Sequence, residues 1–107
     1  MRSGLIYFNV ILMGAFVYIL KCSDDSFYIG CANDLERRIA EHQTGAFPGY
    51  TYARRPVALV WSEYFDRTTD AIAAERKLKG WSRAKKEALI RGDWADIRQL
   101  SRRRGGQ

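Results

Sequence analysis

The sequence predicts a small α+β domain in which a three-stranded antiparallel sheet is flanked by helices. Three observations carry that expectation. Phe16 to Gly30 reads FVYILKCSDDSFYIG, two β-branched and aromatic runs around a polar turn, the pattern of a hairpin. VALVWSEYF at 57–65 is a third run of the same kind. The segments between and after these carry helix-start and helix-stop residues, so the order is strand, strand, helix, strand, helix, helix.

Phe16–Cys22 has no breaker and reads as a strand, SDDS at 23–26 is turn chemistry, and Phe27–Cys31 is the returning strand. Side chains alternate across a sheet, so loop parity decides which residues share a face. An odd loop pairs Leu20 with Tyr28 and puts Tyr18 and Tyr28 on one side; an even loop separates them. The odd loop is expected, because the function argued below requires it. Asn33 or Asp34 caps a helix through Leu35 and Ile39 that stops at Gly45, with Arg38 and His42 beside its apolar stripe. AFPGYTYARRP is a loop. Thr68 or Thr69 caps a helix whose apolar side is Ala71, Ile72, Ala74 and Leu78, with Glu75 on that side. Ser82 starts a basic helix ended by Gly92, and a short helix spans Asp93 to Leu100. The division is an apolar extension at 1–14, one domain at 15–100 and a basic mobile tail at 101–107.

At 107 residues, 47% hydrophobic and 28% charged, the chain has the balance of one globular domain and not of a disordered segment. The net charge of +6 and pI near 9.6 point to a polyanionic partner. The charge is uneven: residues 1–75 hold 7 Lys and Arg against 9 Asp and Glu, and residues 76–107 hold 11 against 3. Cys22 and Cys31 with one histidine support neither a disulfide framework nor a zinc site, so both pack as small apolar residues in a reduced cytoplasm. The apolar opening has no small-x-small cleavage site and is interrupted by Asn9, which argues against an export signal. It falls short of a membrane span unless it consumes the first strand. The expected setting is therefore the cytoplasm, with no membrane.

Two tyrosines, an arginine and a carboxylate are all expected to face inward, in a chain with a basic last third. Taken singly, each has a plainer reading, such as an Arg38–Glu75 ion pair tying two helices together. As a set, they are explained together by a cavity holding a metal, a phosphate or both.

VYI at 17–19, YIG at 28–30, DLERRIAEH at 34–42 and the glutamate of AAERKLKGWSRAKKEALI resemble the GIY-YIG nuclease superfamily. The similarity covers residues 16 to about 91 and is nearest to the small stand-alone bacterial members, extending to the incision domain at the N-terminus of an excinuclease. It implies the GIY-YIG endonuclease fold and a metal-dependent hydrolysis of DNA phosphodiester bonds with little sequence specificity, in repair or recombination. Glu75 would be the single protein ligand of Mg²⁺ or Mn²⁺, and Arg38 would face the transition-state oxygens. Tyr18 or Tyr28 would be the base; Tyr18 is favoured, with Tyr28 orienting water. His42 would contact phosphate or relay a proton, against a plainer reading as a half-exposed histidine bonded to backbone. Cys31 stands where some members carry lysine, and Glu87 lies near where several carry asparagine. Backbone contact to DNA, with RNA left open, falls to Arg54, Arg55, Lys77, Lys79, Arg83, Lys85 and Lys86. Trp81 reads as a core residue before a stacking platform for a base. The expected state is a monomer or weak homodimer. The rival readings are a non-catalytic nucleic-acid-binding module on the same fold and a membrane-peripheral module using the apolar opening.

Overall fold

The computed structural model describes residues 14–105. Among them the chain forms β1 (Ala15–Lys21), β2 (Phe27–Ala32), α1 (Leu35–Thr44), a 3-10 turn at Tyr52–Arg54, β3 (Ala58–Phe65), α2 (Thr68–Lys79), α3 (Arg83–Arg91) and α4 (Trp94–Gly105). The strands make one antiparallel sheet in the order β2-β1-β3, the architecture expected from the sequence. Residues 1–13 of the expected extension lie outside the described residues. No described helix is long and apolar enough to cross a membrane.

β1 is the middle strand, buried on both faces, which accounts for its unbroken apolar run. The hairpin connection is odd: Leu20 pairs with Tyr28, Tyr18 with Gly30 and Val17 with Cys31. Tyr18, Leu20, Tyr28 and Gly30 therefore share one face, and Val17, Ile19, Ile29 and Cys31 the other. The turn closes on Asp24, whose carboxylate accepts from the backbone N–H of Ser26, and on Asp25 in the left-handed region at φ 67.

Capping follows local chemistry. Asp34 Oδ1 accepts from the Arg37 N–H at 3.1 Å, and Gly45 at φ 80 ends α1. Ser82 Oγ accepts from the Lys85 N–H at 3.2 Å, and Gly92 at φ 74 ends α3. Two expectations change. Thr68 is the first residue of α2 and not its cap; Arg67 holds that position without a side-chain bond. Helix α4 passes Leu100 and continues through Gly105, so the stretch expected as a mobile tail from Ser101 is helical as far as it is described. Ser101 Oγ donates to the Ile97 carbonyl at 2.8 Å, and Arg102 near this end suits the negative pole of a helix.

The sheet separates two unlike layers. Behind it, Ala15, Val17, Ile19 and Ile29 pack against Ala71, Leu78, Ala88, Leu89 and Ile97 from α2, α3 and α4. In front, Tyr18, Leu20, Cys22, Ala32 and Val57 meet Leu35 and Ile39 of α1. Both cysteines are free and sit in different layers.

Gly30 is fixed by Tyr18. A Cβ at Gly30 would lie 2.4 Å from the Tyr18 hydroxyl and 2.5 Å from its Cζ, because the phenol ring crosses the backbone of the neighbouring strand there. Tyr18 is fully buried and has no room to yield. Gly30→Ala should therefore cost about 1–3 kcal/mol as an overpacked site. At roughly 4–8 °C per kcal/mol for a domain of this size, thermal unfolding followed by circular dichroism reads the loss directly. An unchanged Tm would show that the ring does not lie there.

Candidate active site

Tyr18 projects from the middle strand toward α1. Its hydroxyl is 2.9 Å from His42 Nε2, and His42 Nδ1 is 2.7 Å from Thr51 Oγ1 in the loop after α1. All three side chains are fully buried. Burial, then the nearby Tyr28 and Glu75, pushes the Tyr18 phenol up to about 12, against the opposing hydrogen bond and charge of Arg38. Burial, then the charge of Arg38, moves His42 below its ordinary value, with Glu41 opposing. Both groups are therefore neutral near pH 7. One nitrogen of the neutral His42 ring donates and the other accepts, and the Tyr18 and Thr51 hydroxyls can each take the complementary role. His42 is thus neither half-exposed nor held by backbone.

Tyr28 lies on the same face, half-buried at the open edge of β2. Its ring centroid is 6.3 Å from that of Tyr18 and 5.0 Å from that of His42, and it stacks on Tyr50 at 6.2 Å. Burial raises its phenol first; Lys79 and Arg38 oppose, and Glu75 adds to the rise.

Arg38 and Glu75 do not pair with each other. Arg38 Nε donates to Glu41 Oε1 at 3.2 Å, Nη1 lies 3.5 Å from the Cys31 carbonyl, and the guanidinium sits 4.9 Å from the Phe47 ring centroid. Glu75 Oε2 is 3.0 Å from Lys79 Nζ, and its side chain is 19% exposed. The two charges nevertheless act on the same groups: both bear on Tyr18, Tyr28 and the Cys31 thiol. β2 is an edge strand, with Leu35, Ile39 and His42 of α1 on its front side and α2 packed behind.

The expected DNA contacts divide. Lys77, Lys79 and Arg83 are exposed, and Lys86 is half-buried. Lys79 and Lys86 line a cleft of about 220 Å³ with Phe27, Tyr28, Ile29 and Tyr50, next to the tyrosine edge. Arg83 pairs with Glu87 at 3.2 Å and lies over Phe27. Arg54 binds Asp24 of the hairpin turn at 3.1 Å and covers the Tyr50 ring at 3.8 Å; Arg55 donates to the Tyr52 carbonyl. These two arginines brace the loop as well as presenting charge. Lys85 is a correction. It is buried at 9% exposure with its ammonium 4.4 Å from the Trp81 ring centroid, so it does not belong to the outward set.

Thr51, Phe47 and Tyr50 were not foreseen from the sequence. They come from a loop with no periodicity, and only their contacts give them a role. Phe47 packs on His42 at 4.5 Å while carrying the Arg38 guanidinium.

Known proteins resemble this chain in sequence and fold. The family model described as the GIY-YIG catalytic domain matches residues 14–88. A UPF0213 protein of Staphylococcus saprophyticus is 47% identical over 75 residues, which cover 70% of this chain and 92% of that protein. A UPF0213 protein of Natronomonas pharaonis is 45% identical over 75 residues, covering 70% and 88%. Among solved structures, the solution structure of a UPF0213 protein from Bacillus halodurans is 41% identical with a TM-score of 0.50, covering 73% of this chain and 83% of that one. That of an E. faecalis protein is 36% identical with a TM-score of 0.54, covering 74% and 84%. None of these names states an activity. With the matched residues running from the start of β1 into α3, the chain belongs to the GIY-YIG family of nucleases, among its small stand-alone members.

Proposed function

We propose that this protein is a divalent-metal-dependent endonuclease that hydrolyses DNA phosphodiester bonds with little intrinsic sequence specificity, acting in the cytoplasm in repair or recombination as a monomer or weak homodimer. One observation carries the reading: Tyr18 and Tyr28 share a sheet face, their ring centroids 6.3 Å apart, and both meet His42 on the helix that carries Arg38.

A divalent cation is implied by the family, and Glu75 is the residue to hold it. No group of three or more His, Cys, Asp and Glu sits together among the described residues, and Glu75 is a single carboxylate. That donor set fits a hard cation that keeps most of its waters, Mg²⁺ or Mn²⁺, and does not fit a caged zinc. When bound, the ion supplies Lewis-acid polarisation of the phosphate.

The chain's own residues supply the rest. Arg38 places a fixed fork of N–H donors where phosphate charge develops. With its phenol near 12, Tyr18 is ionised in only about one molecule in a hundred thousand at pH 7. Because its side chain is fully buried, it serves as a base by passing its own proton to His42 Nε2 as it accepts the water's proton through another group. This transfer uses the tautomer with Nε2 unprotonated, in which Nδ1–H donates to the Thr51 hydroxyl 2.7 Å away. Tyr28, at the exposed edge, orients the water. Lys77, Lys79, Arg83 and Lys86, with Arg54 and Arg55, hold the backbone of DNA, or of RNA, without reading bases.

Nicking of supercoiled plasmid in Mg²⁺ or Mn²⁺ tests this. Glu75→Ala, Arg38→Ala and Tyr18→Phe should each slow cutting about a hundredfold or more, and EDTA should stop it. Cutting that survives Glu75→Ala removes the proposed site, and binding without cutting in the unaltered protein leaves the non-catalytic module.

The rate should also depend on pH in one direction. Protonated His42 cannot take the Tyr18 proton, so activity falls as pH drops through the depressed pKa of His42, below its ordinary 6.5, and levels off above it. Tyr18 itself adds no alkaline fall below pH 10. His42→Gln should lower the rate roughly a hundredfold and flatten the acid limb. An acid limb that persists unchanged in this variant assigns it to another group.

A further inference from the structure

A phenol that orients an attacking water has to be aimed. Burial and the charges of Lys79, Glu75 and Arg38 act on the Tyr28 phenol, with no hydrogen bond among those influences. The direction of the side chain therefore rests on the rings packed against it. Three rings do so: His42 at 5.0 Å, Tyr50 at 6.2 Å and Tyr18 at 6.3 Å between centroids. Tyr18 and His42 are fully buried, whereas Tyr50 is 43% exposed and lines the surface cleft together with Tyr28.

Tyr50 lies in the loop between α1 and β3, outside any helix or strand, so no backbone ladder holds it. Arg54 does. Its guanidinium carbon is 3.8 Å from the Tyr50 ring centroid, Nη1 donates to the Tyr50 carbonyl at 2.8 Å, and Nε donates to Asp24 Oδ2 at 3.1 Å. The Arg54 carbonyl in turn accepts from the Ser23 N–H at 2.9 Å. One residue thus latches the loop to the β1–β2 turn through its side chain and its backbone. An exposed ion pair alone would contribute little. Here the pair is one of several contacts made by the same arginine, and the strand that leaves the turn is the one that carries Tyr28.

We propose that Tyr50 is a positioning residue for Tyr28, held in place by Arg54 and, through it, by Asp24 of the hairpin turn. The effect on cutting rests on the nuclease reading; the placement of the ring does not. Asp24 separates this role from a simple contact with DNA. Removing a carboxylate from a protein that binds a polyanion should not weaken binding, so an Asp24 variant that binds DNA as well as before and cuts more slowly has lost geometry.

Asp24→Asn keeps an acceptor for Ser26 and leaves every ring in place, while it removes the oxygen that Arg54 binds. In single-turnover nicking of supercoiled plasmid with Mg²⁺ at saturating protein, Asp24→Asn should slow cutting severalfold and Tyr50→Ala about tenfold. Tyr50→Phe, which keeps the ring, should stay within about twofold, and none of the three should weaken plasmid binding by more than about twofold. The contact itself gives a second readout. The nuclear Overhauser effect between the Tyr28 and His42 ring protons should weaken in Asp24→Asn and Tyr50→Ala and persist in Tyr50→Phe. Asp24 is exposed, so its variant keeps the test open if Tyr50→Ala fails to fold. If the unaltered protein does not cut, the nuclease reading fails and the Overhauser effect alone decides the placement. The proposal is overturned if that effect is unchanged in the folded variants, if they cut at the unaltered rate, or if slower cutting is matched by equally weaker DNA binding.

Discussion

The hydrogen bond between the Tyr18 hydroxyl and His42 Nε2 is the constraint on which the front of this protein depends. His42 is the only fully buried side chain of α1, so this short helix is not seated by a broad apolar stripe. Leu35 and Ile39 contribute at its margin, but the deep contact is polar. A buried phenol and a buried imidazole are each unfavourable alone and tolerable together, with Thr51 satisfying the remaining ring nitrogen. The same chain of bonds ties the loop after α1 to the sheet, and Gln43 adds a second tie by accepting from and donating to the backbone of Val57. One network thus positions a strand, a helix and a loop, and Arg38 rides on that helix.

The two layers of the domain divide the work. The rear layer is built from aliphatic contacts between β1, β2 and three helices, and supplies most of the apolar burial. The front layer places tyrosine, histidine and arginine where a purely stabilising design would place leucine. β1 serves both, because alternate residues of one continuous apolar run face opposite layers: Val17 and Ile19 behind, Tyr18 and Leu20 in front. The tyrosine face is therefore held rigid from behind by a core that takes no part in its chemistry.

Much of this was legible in the sequence, where local rules act. The caps at Asp34 and Ser82 and the stops at Gly45 and Gly92 sit where their chemistry places them. Loop parity was not legible locally: the odd connection that puts Tyr18 and Tyr28 on one face was expected from the function alone. What escaped were contacts set by tertiary placement. Periodicity put His42 beside the apolar stripe but could not show that a loop threonine closes over it. The Lys85 correction is different, because its signal was present. Lys85 stands three and four residues before Ala88 and Leu89, so it shares their buried face of α3, while Lys86 turns about 100° away toward the tyrosine edge. Grouping the lysines by composition concealed a difference that helical spacing records.

Spacing also bears on the residue after YIG. Where some family members carry a lysine, this chain has Cys31, whose thiol is raised by burial and by Glu75 and so stays neutral. Positive charge nonetheless reaches Tyr28 from Lys79, one helical turn after Glu75 on α2. That lysine lowers the Tyr28 phenol while Glu75 raises it, and the two are themselves paired at 3.0 Å. The cation is thus delivered from the helix that carries the acid and not from the strand that carries the tyrosine. If Glu75 receives a divalent ion as proposed, the Lys79 ammonium and that ion compete for one carboxylate. Occupation of Glu75 by a divalent ion would release Lys79 toward the cleft it shares with Lys86 and Tyr50, where a backbone phosphate is its natural partner.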